Sequence, residues 1–289
     1  MGLRKGDPVN TGNGKADHSA MSTIDTTTKA AEILDAIDRQ KRLAAFSGIE
    51  MPQVYAATAE MRRLRAARGE KVVGRKIGFT NRTIWDEYKV FAPIWGYMYD
   101  TTLFDISAAR NVDLAKFVEP RIEPEIALCF GHAPQAGMSP VQILDCVEWA
   151  AHGFELVQSL YPDWKFSAPD TVAVNGLHGA YFLGEKVSIA QSRAAWLDAL
   201  ANFEVSLYRN DTLVDKGHAR NVLDGPLFAV GHLLDLLKDD PYNAPVAVGE
   251  IITTGTVTRA FPVASGETWR TEITGLALPG ASVSFASRA

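Results

Sequence analysis

The chain has only two cysteines in 289 residues, Cys129 and Cys146, and both sit among apolar neighbours. Two thiols cannot staple a small secreted framework, so a reducing, cytoplasmic setting is expected. The longest apolar runs fall well short of the roughly twenty residues that cross a bilayer, so no membrane association is expected. The N-terminal stretch holds no apolar core of the kind a secretory signal needs. Basic residues do not outnumber acidic ones (29 against 34, formal net charge −5) and form no block, which argues against nucleic-acid binding. Six histidines, scattered along the chain, give little support to a zinc site of several imidazoles. Also missing are a G-x-G-x-x-G turn after a strand, a Walker loop, H-E-x-x-H, C-x-x-C and G-x-S-x-G, so nicotinamide, nucleotide and serine-nucleophile chemistry lose their usual anchors.

What remains is an ordinary globular composition, 47% apolar and 22% charged, in a chain long enough to bury a substantial core. Residues 1–22 are polar and aperiodic and read as a disordered tail. Residues 23–289 read as one domain, with a helical lobe over 23–70 and a strand-rich core over 71–289. The lobe opens with a Thr-rich start at Thr26, then Ile33, Leu34 and Ile37 on one face. A second helix spans Gln53 to Arg68 and stops at Gly69, its Arg62, Arg63, Arg65 and Arg68 forming a basic patch, read first as a solvated face and next as a subunit interface. The core begins with a strand holding Gly74 and Gly78, glycines that admit close approach of a backbone or ligand. A short helix after Asn81 and an aromatic loop (Trp85 to Tyr99) follow. Ser139-Pro140 starts a helix carrying Ile143, Leu144, Val147 and Ala151, and a strand follows from His152 to Val157. Further strands are expected near 171–184, 202–210, 249–258 and 272–286, with one helix at 225–238 between them. Helices first and then mostly strands, without regular alternation, indicate the α+β class.

One stretch stands out, Glu119-Pro120-Arg121-Ile122-Glu123-Pro124-Glu125-Ile126-Ala127-Leu128-Cys129-Phe130. Its second half is a buried strand, and strand alternation puts Glu123 and Glu125 on one face, one pleat apart. Two anions beside an apolar run repel each other and lose hydration. A metal ion, an Arg or Lys, or a shared proton would relieve this, and a metal is the leading idea. Glu155 is the natural third acid, standing in the next apolar strand after a single helix. A hard divalent cation such as Mg²⁺ takes such oxygens and keeps positions open.

These motifs resemble the 2-keto-4-pentenoate hydratase and 4-oxalocrotonate decarboxylase group of the fumarylacetoacetase-like superfamily. The resemblance runs from about Val54 to the C-terminus. It rests on Gly74-Arg75-Lys76-Ile77-Gly78-Phe79-Thr80, Pro120 to Ala127, Phe154-Glu155-Leu156-Val157, Asp163-Trp164-Lys165, Asp170 to Ala173 and Gly249 to Gly255. It implies a mixed β-roll, assembly as a homo-oligomer or with a homologous decarboxylase or hydratase, and Mg²⁺ or Mn²⁺ held by Glu123, Glu125 and Glu155. It also makes Lys76 the active-site lysine. Between glycines and near the ion, its pKa is expected to be lowered so that it shuttles protons or orients water. The plainer reading is a strand-end lysine in a structural ion pair with one of the glutamates. The implied activity is hydration of a 2-hydroxy-2,4-dienoate (2-oxo-4-enoate) to a 4-hydroxy-2-oxo acid. Decarboxylation of a 2-oxo-3-enedioate is the alternative, and a non-catalytic metal-binding accessory subunit a further one.

The chain departs from the group's pattern at two places. Pro93 is followed by Ile94 where hydratases of the group carry Pro-Asp. Ala173-Val174-Asn175-Gly176-Leu177-His178 stands where they read Ala-Asp-Asn-Ala-Ser. An acid and a hydroxyl are thus replaced, and His178 is a candidate substitute acid–base group or a packed histidine. Arg121, Asn175 and Thr80 are the substrate-binding candidates. Arg121 either neutralises carboxylate charge, the favoured reading, or holds a distal carboxylate; Asn175 either bonds substrate or finishes a turn. The Asn-Asp-x-Ser-x-Arg-Asp run of the C–C hydrolase branch is missing, which disfavours hydrolysis.

Overall fold

The computed structural model describes residues 26–46 and 51–287; the stretch read as an N-terminal tail lies outside them. Helices α1 (Thr26–Asp38) and α2 (Met51–Ala67) come first. Gly69 at φ +89° follows the second of them, the left-handed conformation that ends a helix. Then come β1 (Val72–Gly78), α3 (Trp85–Tyr88), β2 (Ile94–Tyr99), β3 (Leu103–Asp105), β4 (Arg121–Phe130), α4 (Pro140–Cys146) and β5 (Val147–Val157). After them run α5 (Ala168–Ala173), β6 (His178–Leu183), β7 (Val187–Ser188), α6 (Arg193–Asn202), β8 (Glu204–Arg209), β9 (Thr212–His218) and α7 (Pro226–Lys238). The chain closes with β10 (Ile251–Thr256), β11 (Phe261–Pro262), β12 (Thr268–Thr274) and β13 (Ser282–Ser284).

The larger sheet runs β2-β1-β10-β4-β5-β6-β3, with β11 added to β4 and β7 to β5. Its pairs are antiparallel except β1 with β10 and β3 with β6. A smaller antiparallel sheet runs β13-β12-β8-β9. The main core lies between the larger sheet and α4, α6 and α7, around Phe130, Leu144, Phe203 and Leu233. The helices α1, α2 and α5 pack over Ile94, Val157 and Tyr161 in a second cluster, where each fully buried large aliphatic side chain contributes roughly 1.5–3 kcal/mol. His152 ties the two sheets together. Its Nδ1 is 2.9 Å from the carbonyl oxygen of Glu125 and its Nε2 is 2.8 Å from Thr271 Oγ1 on β12. A carbonyl can only accept, so Nδ1 carries the proton, and burial holds the imidazole neutral with its pKa lowered to about 4.

Several expectations need correction. The aromatic segment 94–99 is a buried strand, not a loop. Its alternation sends Trp95, Tyr97 and Tyr99 to the face away from Gly96. Helix α4 has the expected capping box, Ser139 with Gln142, but ends at Cys146; Val147 and Ala151 already belong to β5. Asp170-Thr171-Val172-Ala173 is helical because Ser167 and Asp170 form a second capping box. Helix α6 and strand β9 were not anticipated. The basic face of α2 is only partly solvated: Arg65 is buried, its Nη1 2.6 Å from Glu70 and its guanidinium over the Tyr99 ring.

Of the two β1 glycines, Gly74 does admit another backbone, while Gly78 faces side-chain atoms of Ile94 and Lys76. A Cβ on Gly74 would strike the carbonyl oxygen of its partner Ile251. That neighbour is main chain within a paired strand and cannot swing aside. Gly74→Ala is therefore expected to cost about 3 kcal/mol or more, read as a lowered midpoint in denaturant. A midpoint within a few tenths of wild type would show that β1 and β10 can separate freely.

Candidate metal centre

Strand β4 presents Arg121, Glu123 and Glu125 on one face, as alternation requires. In the antiparallel ladder with β5, Glu155 stands directly opposite Glu123. One oxygen from each of the three glutamates lies within 4.8 Å of the others. On the other flank Lys76 of β1 pairs with Thr253 of β10, and Thr253 with Ala127 of β4, so the lysine shares that face. Between Thr253 and Thr256 strand β10 spends three residues where β4 spends two. That bulge turns the Gly255 N–H (φ +98°) onto Glu125 Oε2 at 3.1 Å.

The carboxylates are unequally partnered. Glu155 Oε1 is 2.8 Å from His178 Nδ1, and Oε2 is 3.2 Å from Lys76 Nζ without the alignment of a hydrogen bond. Glu125 Oε1 is buried and has no well-aligned hydrogen-bond partner among the described residues. The hydroxyls of Thr80 and Thr253 are also buried without one. Burial drives the Glu123 carboxyl up to about 7, with Lys76 pulling it back and Glu155 adding repulsion. Burial and the other two carboxylates raise Glu125 well above the usual range. Glu155 alone is held below it, because Lys76 and His178 outweigh its burial.

Lys76 corrects an expectation. Burial alone would lower its pKa, but Glu155, Glu123 and Glu125 reverse the sign and hold the ammonium above its ordinary value. Besides Glu155, Nζ reaches the carbonyl oxygen of Gly176, which accepts from it at 3.0 Å. That turn reaches the lysine because its cross-strand neighbour is Gly96, where a Cβ would strike the Asn175 carbonyl.

A cleft opens over Lys76 and Glu123, with Phe79, Thr80, Tyr88 and Arg121 among its walls. Of the candidates, Lys76, Glu123, Glu125 and Glu155 are brought together, and Thr80 and Arg121 reach the cleft. Two do not. Asn175 spends its amide on Tyr97, accepting from the backbone N–H at 2.8 Å and donating to the carbonyl at 2.7 Å. His178 is not among the cleft's walls; it stands behind Glu155, with Nε2 2.9 Å from Thr102 Oγ1, and braces that carboxylate. An ionised carboxylate cannot donate, so Nδ1 carries the proton toward Glu155. Thr102 and Phe166 escaped the sequence reading, since no motif marks them; Gly255 closes one of the resembling segments, but its N–H was given no role there.

The donor set fits a hard divalent cation. It is all oxygen, it is mostly buried, one acceptor is orphaned, and three carboxylates face a single ammonium. Proton linkage makes the fit testable. Glu123 and Glu125 have raised pKa values, so in the metal-free chain their stabilisation is complete below about pH 4.5; the share of Glu123 is lost as pH rises through about 7, and that of Glu125 is likewise lost as pH rises. Glu155, shifted down, is ionised in both folded and unfolded chains across that window. A bound dication keeps the carboxylates ionised and removes the loss. The gain in Tm on adding Mg²⁺ should therefore be larger at about pH 8 than at about pH 5.5. An equal gain at both would mean that the ion binds elsewhere.

The description of the Fumarylacetoacetate (FAA) hydrolase C-terminal family matches residues 89–283. The chain is 30% identical over 254 residues to 2-hydroxyhexa-2,4-dienoate hydratase of Comamonas testosteroni, covering 86% of this chain and 94% of the hydratase. It is 30% identical over 237 residues to 4-oxalocrotonate decarboxylase of Pseudomonas sp. strain CF600, covering 81% and 86%. In three dimensions it resembles 4-oxalocrotonate decarboxylase from Pseudomonas putida G7, complexed with magnesium and adipate. The TM-score is 0.81 at 26% identity, over 90% of this chain and 97% of that one. With all three glutamates and their histidine brace inside the matched region, the chain belongs to the fumarylacetoacetate hydrolase C-terminal family.

Proposed function

We propose that this chain is a divalent-metal-dependent lyase that adds water to a 2-hydroxy-2,4-dienoate (2-oxo-4-enoate), giving a 4-hydroxy-2-oxo acid. The observation that carries the reading is the cluster beside the cleft, where three carboxylates and one lysine share a sheet face and Lys76 and Glu123 reach the cleft wall. Relatives named as hydratases and as decarboxylases, both lyases, support it, as does the magnesium in the similar decarboxylase. Glu123, Glu125 and Glu155 would hold Mg²⁺ or Mn²⁺, with His178 keeping Glu155 in place. When bound, the ion supplies a Lewis acid for the negative charge that grows on an oxygen of a 2-oxo acid.

The remaining work falls to the chain's own groups. Ketonisation of a dienol needs a proton at the far carbon of the diene, and the Lys76 ammonium faces the cleft to deliver it. The enol hydroxyl gives up its proton to solvent as the far carbon is protonated. The amine left behind takes a proton from the water that adds at C4, which restores the ammonium, and the enolate so formed takes a proton from solvent at C3. Thr80, with a free buried hydroxyl, is placed to orient substrate or water. Phe79, Tyr88 and Phe166 pack as an aromatic wall against which a flat, conjugated chain lies. Assembly as a homo-oligomer, or with a homologous decarboxylase or hydratase, belongs to the same proposal.

Decarboxylation of a 2-oxo-3-enedioate is the second reading, favoured by the structural match to a 4-oxalocrotonate decarboxylase. Both reactions place negative charge at the same oxygen, and only the hydration consumes water. The test is to follow the purified chain with Mg²⁺ on both substrate types. Hydration predicts loss of diene absorbance with formation of the 4-hydroxy-2-oxo acid; the second reading predicts CO₂ release instead. Turnover of neither would leave an accessory, metal-binding role. Lys76→Met is expected to lower kcat by about 10²- to 10⁴-fold while Mg²⁺ still binds. An undiminished rate would take the proton-transfer role away from Lys76.

A further inference from the structure

The mouth of the cleft holds a cation that the chemistry above does not use. Arg121 opens β4 two residues before Glu123 and on the same face, roughly 7 Å along the strand from it. Its guanidinium lies over the Trp164 ring, Cζ 3.9 Å from the centroid. That ring is fixed in turn, because its indole N–H donates to the Glu119 carbonyl at 3.0 Å. One further bond, Nη1 to the Tyr88 hydroxyl at 3.2 Å, holds the plane from its edge. Most of the fork's five donors remain uncommitted.

The surroundings say what could take them up. The inner cleft and an outer pocket share Tyr88, Arg121, Trp164 and Phe166, so the guanidinium stands where one opens into the other. The corridor leading to it is aromatic, with Tyr88 and Phe166 stacked at 5.4 Å between ring centres. Beyond it the outer pocket holds Lys89 and Lys165, offset by Glu87 and Asp163. Asp163 lies 3.5 Å from Lys165, while Arg121 forms no ion pair among the described residues. An apolar corridor ending in a stacked, half-satisfied guanidinium is a receptor for a flat chain with a terminal carboxylate, since Arg offers such an anion a bidentate fork.

We propose that Arg121 is a specificity-determining residue that binds a second, terminal carboxylate, so that the chain favours 2-oxo or 2-hydroxy-dienoic acids ending in a carboxylate over those ending in a methyl group. The proposal rests on the reading of the cleft as a site for such acids. It deepens that reading by naming the tail for hydration; in the decarboxylation the same contact would fall on the carboxylate that leaves as CO₂. In the plainer role, Arg121 only offsets the charge of Glu123, and the nature of the tail does not matter.

The two roles separate in a calorimetric titration of the Mg²⁺-loaded chain with 2-oxoadipate and 2-oxohexanoate. These unreactive acids have equal length and differ only in the second carboxylate. The wild type is expected to bind 2-oxoadipate about ten- to a hundredfold more tightly, the worth of one charge-assisted bidentate contact. Arg121→Gln should bring 2-oxoadipate to within about threefold of 2-oxohexanoate and leave the latter unchanged, with Arg121→Lys between. Equal affinities in the wild type overturn the proposal without any variant, and so do equal losses of both acids in Arg121→Gln. If both acids bind equally well, only the tail assignment falls; if neither binds, the reading of the cleft falls with it.

Discussion

Mutual repulsion among three carboxylates on a dry sheet face is the constraint around which this molecule is arranged. At separations below 4.8 Å, each ionised pair costs roughly 3 to 4 kcal/mol at an effective dielectric near 20. Desolvation adds to that cost for the two acids that are fully buried. One lysine cannot balance three acids. The chain settles the charge unevenly: Glu155 is ionised between Lys76 and His178, while Glu125 keeps an orphaned oxygen. A network left half satisfied in this way is expensive for stability alone, and it becomes economical once a dication completes it.

The rest of the fold serves that arrangement at close range. Glycines stand wherever another strand or turn must approach the site: Gly74 under Ile251, Gly96 under the Asn175 turn and Gly255 against Thr80. The bulge in β10 re-aims one backbone N–H at Glu125. His152 holds the Glu125 carbonyl from behind and anchors it to the smaller sheet, and the Tyr181 hydroxyl donates to the same carbonyl at 3.2 Å. These contacts fix the strand and so fix the carboxylates; they leave the carboxylate oxygens themselves for a ligand. Above the site, aromatic rings supply a dry corridor and a stacked guanidinium ends it.

Much of the centre was legible because strand geometry is simple. Alternation put Glu123 and Glu125 on one face, and adjacency of the next apolar strand brought Glu155 to them; the ladder pairs Glu155 with Glu123 directly. Position along the sequence could not foresee what depends on turns. Asn175 sits at φ +59°, and its amide is consumed by Tyr97, so a polar residue of the expected type faces the wrong partner. His178 was chemically suited to proton transfer, yet the start of β6 places it behind a carboxylate. Trp164, also at positive φ, meets Arg121 only through a loop conformation that no periodicity reveals. The aromatics of β2 read as a loop because every residue of that strand is buried, on both faces, which erases the alternation that marks a half-exposed strand.

The most direct test of the metal centre is thermal unfolding after EDTA, then with Mg²⁺, then with Mg²⁺ and oxalate, a planar mimic of the enolate of a 2-oxo acid. A ligand at about a hundred times its dissociation constant adds roughly 2.7 kcal/mol of stability. Oxalate that raises the transition only when Mg²⁺ is present would establish a cation held with positions open to a chelating acid. A transition moved by neither would mean that the three glutamates are structural, and the lyase reading would lose its foundation.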